Sequence, residues 1–168
     1  MWRGIVYLLL LLLLSILSGP IVATVGGSCS SAAQCSSGED CISSSCTCTV
    51  GYHDTDGDNS CNACALGYYK SATGTGACSQ VDAGYYAVNS AGGTTATNSA
   101  AVDKAACASG YYSAAGASQC TQVTAGYYAT NSGGSSVNTA AVAQTRCSGI
   151  LQSDAGATVC YDAPTGKP

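Results

Sequence analysis

Six cysteines between residues 29 and 61 constrain this chain more than any other feature. They stand at Cys29, Cys35, Cys41, Cys46, Cys48 and Cys61, a C-x5-C-x5-C-x4-C-x-C-x12-C series. Six more follow at Cys64, Cys78, Cys107, Cys120, Cys147 and Cys160, so the total of twelve is even. Little else could hold such a chain together. There is no Phe, the only Trp and Met are Trp2 and Met1, and beyond residue 25 Leu and Ile amount to Ile42, Leu66, Ile150 and Leu151. The 46% hydrophobic content comes from Ala, Cys, Tyr and an N-terminal leucine run. A chain that cannot bury enough aliphatic surface draws its stability from cross-links, as small secreted domains do. Spacing alone leaves fifteen connectivities for the first six cysteines.

The N-terminus supplies the matching compartment. Arg3 precedes an uncharged run from Gly4 to Leu17 with seven consecutive leucines, followed by Ser18-Gly19-Pro20. This is the order of a secretory signal peptide: positive region, apolar region, small-residue exit. The dense apolar block is shorter than the roughly twenty residues a membrane span needs. A signal peptide over 1–23, cut near Ala23, is therefore predicted, and with it secretion. No membrane span is expected after cleavage. The net charge of −4 becomes −5 once Arg3 is lost, and no basic patch offers a nucleic-acid surface.

Cys46-Thr47-Cys48 is followed by Thr49-Val50-Gly51-Tyr52, placing Gly and an aromatic three and four residues after the fifth cysteine. In this the stretch 28–61 resembles the epidermal-growth-factor-like (EGF-like) module. The resemblance implies two short hairpins with Cys29 joined to Cys41, Cys35 to Cys46 and Cys48 to Cys61. Asp54-Thr55-Asp56-Gly57-Asp58-Asn59 looks like a calcium loop, but Asn59 holds the sixth position, where an EF-hand needs Gly, and Ala65 holds the twelfth, where it needs Glu. The acidic pattern of calcium-binding EGF-like modules is missing before Cys29. A polar Asp-Gly turn is predicted there, with no metal, and His53, the only histidine, as a solvated turn residue.

Residues 62–162 form an internal repeat. Gly-Tyr-Tyr recurs at Gly67, Gly84, Gly110 and Gly126. Cys64, Cys107 and Cys147 recur at steps of 43 and 40, and Cys78, Cys120 and Cys160 at steps of 42 and 40. Short loops between cysteines thus alternate with longer cysteine-free loops. The last copy has Gly149-Ile150-Leu151 in place of Gly-Tyr-Tyr. In the short unit Tyr111-Tyr112-Ser113 is strand-prone, Ala114 to Ser118 makes the turn around Gly116, and Gln119-Cys120 returns. One tyrosine of each pair should point to each face.

Cys61-Asn62-Ala63-Cys64-Ala65-Leu66-Gly67-Tyr68-Tyr69 resembles the C-x-x-C-x-x-G-x-Y unit of ephrin-receptor-like and growth-factor-receptor-like cysteine-rich repeats and of repetitive surface antigens of ciliated protozoa. The next junctions depart from it. Val81 and Val123 stand where the second cysteine belongs, and Lys104 and Gln144 stand where the partner cysteines would be. Loss of both ends of the same bridge keeps the count even and favours Cys64–Cys78, Cys107–Cys120 and Cys147–Cys160. Gly92-Gly93 and Gly133-Gly134 should turn the long loops. The Ala-rich stretches Asn98 to Ala106 and Asn138 to Thr145 allow a helical turn with Asn caps.

The expected fold is thus small and disulfide-rich: an EGF-like module, an elongated ladder of short β-hairpins, little helix after the signal peptide, and a flexible tail over 163–168. No catalytic constellation is found, since nucleophilic cysteine chemistry needs a nearby base. No cofactor is implied. No Asn-x-Ser/Thr sequon occurs, and abundant Ser and Thr leave O-glycosylation open. The C-terminus, Ala163 to Pro168, is not hydrophobic, so no lipid anchor is expected there. The reading that follows is a non-enzymatic secreted or cell-surface structural, adhesion or surface-coat protein, with extracellular protein partners or self-assembly. The rival is a secreted EGF-like signalling ligand, and a weaker third is an inhibitor of a secreted enzyme.

Overall fold

A computed structural model describes residues 22–89 and 100–162. Most of the expected signal peptide, the Gly92-Gly93 turn and the tail lie outside the described residues. Within them every strand belongs to a two-stranded antiparallel sheet, and seven such sheets follow one another. The one helical element is a single 3₁₀ turn at Ala32–Gln34, where the Gln34 side-chain oxygen accepts from the backbone N–H of Ser30 and Ser31. Little helix is what a chain of Gly, Ser, Thr and β-prone Tyr should form.

The first hairpin pairs β1 (Glu39–Ile42) with β2 (Ser45–Cys48), Cys41 opposite Cys46. Its two-residue turn puts Ser43 and Ser44 at φ of 52° and 66°, the geometry that matches hairpin twist. Six further hairpins, here called rungs 1 to 6, then succeed one another. Rung 1 pairs β3 (Tyr52–His53) with β4 (Asn62–Ala63), and rung 2 pairs β5 (Tyr68–Tyr69) with β6 (Ser79–Gln80). Rung 3 pairs β7 (Tyr85–Val88) with β8 (Asp103–Ala106), and rung 4 pairs β9 (Tyr111–Tyr112) with β10 (Thr121–Gln122). Rung 5 pairs β11 (Tyr127–Thr130) with β12 (Ala143–Arg146), and rung 6 pairs β13 (Leu151–Gln152) with β14 (Tyr161–Asp162). The series begins at Tyr52, inside the stretch assigned above to the first module.

Three expectations need correction. The Ala-rich stretches are not helical turns where they are described, because Asp103–Ala106 and Ala143–Arg146 are strands. Alanine has no side-chain preference strong enough to resist a neighbour offering a full row of backbone partners, and the Tyr85–Val88 and Tyr127–Thr130 edges do so. His53 is likewise no solvated turn residue: it sits half-buried in β3, opposite Asn62. The short-unit return is also shifted, its strand being Thr121–Gln122 rather than Gln119-Cys120.

Isolated hairpins are marginal in water, so the rungs must lean on one another, and they do so through backbone. Gly51 donates to the Lys70 carbonyl (2.8 Å), Gly84 to Ser113 (2.9 Å) and Gly126 to Ser153 (2.9 Å). Each of these joins an odd rung to the even rung after it. Small clusters fill the gaps: Val81, Ala87 and Ala101 under Tyr69 and Tyr85, and Val123, Ala129 and Ala141 under Tyr112, Tyr127 and Val137. The paired tyrosines divide as alternation requires. Tyr68 and Tyr111 are 37% and 36% exposed, while Tyr69 and Tyr112 turn inward to these clusters.

Candidate functional site

The chemistry-bearing residues of this chain are its cystines. The structure joins Cys29 to Cys41, Cys35 to Cys46, Cys48 to Cys61, Cys64 to Cys78, Cys107 to Cys120 and Cys147 to Cys160. No cysteine is free. The sulfurs of Cys29, Cys35 and Cys46 lie close together, but each is committed to a disulfide and has no thiolate to offer a metal. Cys46, Cys48, Cys64 and Cys107 are fully buried. In a chain this poor in aliphatics, disulfide sulfur does the work of a core.

Cys48–Cys61 is a rung bridge in register. It leads Tyr52 and Ala63 by four and two residues, the offsets at which Cys64–Cys78 leads Tyr68 and Gln80. The same offsets from Tyr85 and Ala106 in rung 3 fall on Val81 and Lys104, and from Tyr127 and Arg146 in rung 5 on Val123 and Gln144. Rungs 1, 2, 4 and 6 are therefore cross-linked, and rungs 3 and 5 use a substitute at the same place. Both valines are wholly buried. The Lys104 ammonium forms an ion pair with the Asp82 carboxylate and stands over the rings of Tyr69 and Tyr85, at 5.8 and 5.1 Å from their centroids. The hydrogen bond to Asp82 raises the lysine above its ordinary pKa. In rung 5 the Gln144 side chain instead accepts the Thr124 N–H at 2.8 Å.

The loop carbonyls and amides form a second recurring arrangement, one that sequence reasoning missed. Rungs 1 and 2 together hold the Ala100-Ala101-Val102 segment of rung 3. Ala100 donates to the Cys64 carbonyl (3.0 Å), Lys70 donates to the Ala101 carbonyl (3.0 Å), and the Ala100 carbonyl lies over Gly51, where a Cβ would stand 2.5 Å away. Rungs 3 and 4 hold Ala140-Ala141-Val142 of rung 5 in the same way. Ala140 donates to Cys107 (2.9 Å), Ser113 donates to Ala141 (3.1 Å), and the Ala140 carbonyl covers Gly84 at 2.3 Å from a would-be Cβ. Parallel bridges Tyr69 to Ala101 and Tyr112 to Ala141 mark the two seats. The signal was present in the sequence as Asn98-Ser99-Ala100-Ala101-Val102 and Asn138-Thr139-Ala140-Ala141-Val142.

The remaining candidates are local. Oxygens of Asp54, Asp56 and Asp58 converge within 4.8 Å, while the Asp54 carboxylate accepts the Gly57 N–H at 2.9 Å and thereby shapes the turn. His53 Nδ1 contacts Thr55 Oγ1 at 3.2 Å, two residues away. Both lie at the rim of a shallow cavity of about 220 Å³ with Ala65, Tyr68, Ala77 and Cys78. No helix among the described residues is long and apolar enough to cross a membrane. No protein-family model matches the chain, and a search of the curated proteins finds no relative.

Proposed function

We propose that this protein is a non-enzymatic structural element of an extracellular or cell-surface layer, a cystine-braced ladder that holds its exposed face at a distance and displays it. The observation that carries the reading is the uniform rung-to-rung backbone pairing, in which Gly51, Gly84 and Gly126 repeat one hydrogen bond down the chain. Such an array adds length without adding a central core. Six disulfides in so small a chain belong to an oxidising compartment. The outward surface carries Tyr68, Tyr111 and Tyr161 together with the exposed aliphatics Leu66, Ile150 and Val159, which suits contacts with other proteins. The EGF-like resemblance of residues 28–61 is in keeping with an extracellular setting.

Surface labelling of intact source cells with a membrane-impermeant reagent, followed by fractionation, tests this. The expected result is labelled protein in the insoluble coat fraction. Recovery as a soluble protein bound to a receptor would replace the scaffold reading with that of a secreted ligand.

A further inference from the structure

Seats of the kind described at rungs 1–2 and 3–4 recur a third time, at rungs 5–6, and there no described residue is seated. The framework is the same. Gly126 donates to the Ser153 carbonyl as Gly84 does to Ser113, and Cys147 donates to the Gly126 carbonyl as Cys107 does to Gly84. The Ser153 hydroxyl donates to the Tyr127 carbonyl at 2.6 Å, as that of Ser113 does to Tyr85 at 2.7 Å. What differs is the occupant. Apart from its chain neighbours, no atom of the described residues lies within 4 Å of a Cβ built on Gly126, although its φ of 85° matches the 84° of Gly84. Among the described residues the Cys147 carbonyl and the Ser153 N–H, which correspond to the pair that holds Ala140 and Ala141, have no hydrogen-bond partner. An open cavity of about 320 Å³ lies over the place, lined in part by Gly126, Cys147, Gln152 and Ser153.

We propose that this third seat is an acceptor for an Ala-Ala-Val segment, its first alanine in the left-handed region as in Ala100 and Ala140, supplied by another chain that carries rungs of the same type. A backbone donor on buried Ser153 and an acceptor on half-buried Cys147, with a glycine floor beneath them, form an arrangement that can take up a segment by main-chain pairing. The occupant's chemistry is read from the two filled seats. It must take positive φ at its first residue, as Ala100 (69°) and Ala140 (53°) do, donate one N–H, offer one carbonyl, and bring a small side chain at its second, where Ala101 and Ala141 are buried. A second copy of this chain does not meet the need in its folded form, because its own Ala100–Val102 and Ala140–Val142 are already seated. Growth stops after one segment. Ile150 stands where rung 4 has Gly110, whose would-be Cβ is 2.2 Å from the Gly156 carbonyl. The branched, 76% exposed Ile150 side chain therefore fills the place that a further short rung would need. This proposal names a kind of partner for the scaffold reading but rests on different observations, so surface labelling can fail without touching it.

The test uses the intact oxidised protein, labelled with ¹⁵N, and a synthetic peptide with the sequence of residues 138–146. Added up to about 2 mM, where weak contacts of this size become readable, the peptide should shift the amide signals of Gly126 and of residues 147–153 saturably, with one peptide per chain. N-methylation of the peptide at the residue corresponding to Ala140 removes the donor to Cys147 and should weaken binding at least about fivefold. Leaving the protein unaltered keeps folding out of the comparison. Absence of shifts, or equal shifts from the methylated peptide, would overturn the proposal. Concentration-dependent shifts at the same residues without peptide, with a dimer mass in light scattering, would make the occupant a second copy and overturn the partner named here.

Discussion

A Cβ on Gly67 would stand 1.9 Å from the carbonyl oxygen of Gly116, two rungs further along the ladder. The chain thus packs rung against next-but-one rung through bare backbone. Gly67→Ala should cost about 3 kcal/mol or more, the sum of left-handed strain at φ 79° and displacement of the Gly116 turn. Gly57→Ala has the same kind of φ (74°) and open space around it, so strain alone should cost about 1 kcal/mol. Guanidinium unfolding of the oxidised variants measures both. Equal losses would show that the contact between rungs 2 and 4 carries no weight.

Val81 and Lys104 occupy the bridge register of rung 3, so the pair Val81→Cys and Lys104→Cys should form a seventh disulfide. A loop of that length gives roughly 3 kcal/mol in the chain-entropy account, offset in part by loss of the buried valine and of the Lys104–Asp82 pair. Non-reducing peptide mapping should find the new bridge, and the melting temperature should rise. Two free thiols in the double variant would refute the register equivalence.

Lys104 also sets an alkaline limit. Its pKa is raised in the folded state by the Asp82 hydrogen bond, so its contribution is fully present below the unfolded lysine value of about 10.4 and is lost as pH rises through the folded value. Tyr161, whose phenol donates to Asp154 at 2.9 Å, is raised for the same reason and adds loss in the same direction. The stability difference between wild type and Lys104→Met should therefore be constant from neutral pH to about 10 and shrink above it. A difference that grows with pH would contradict the ion pair.

Hydrogen bonds and close approaches between rungs reach no further than the second rung along among the described residues. In solution the oxidised protein should accordingly be elongated. Small-angle scattering on residues 24–168 should give a radius of gyration well above the roughly 15 Å of a compact domain of that size. A value near 15 Å would mean that distant rungs fold back on one another.

What the sequence by itself determined here is local. Cysteine spacing, the Gly-Tyr-Tyr recurrence and the turn glycines point to hairpins closed over a dozen residues, because a short covalent loop and a β-prone pair settle their own geometry. Even the absent cysteines were legible, since Val81 with Lys104 and Val123 with Gln144 fall at the two ends of a missing bridge. The lateral order was decided only in the tertiary structure. Ala100–Val102 and Ala140–Val142 are Ala-rich enough to suggest helix, and nothing in methyl side chains announces that Cys64, Lys70, Cys107 and Ser113 await them. Those seats are made of amides and carbonyls, which every residue carries alike. Main-chain hydrogen bonds between rungs leave little trace beyond a repeated short segment and the places where a side chain must be missing, and a glycine in a turn reads the same whether or not another carbonyl stands where its Cβ would be.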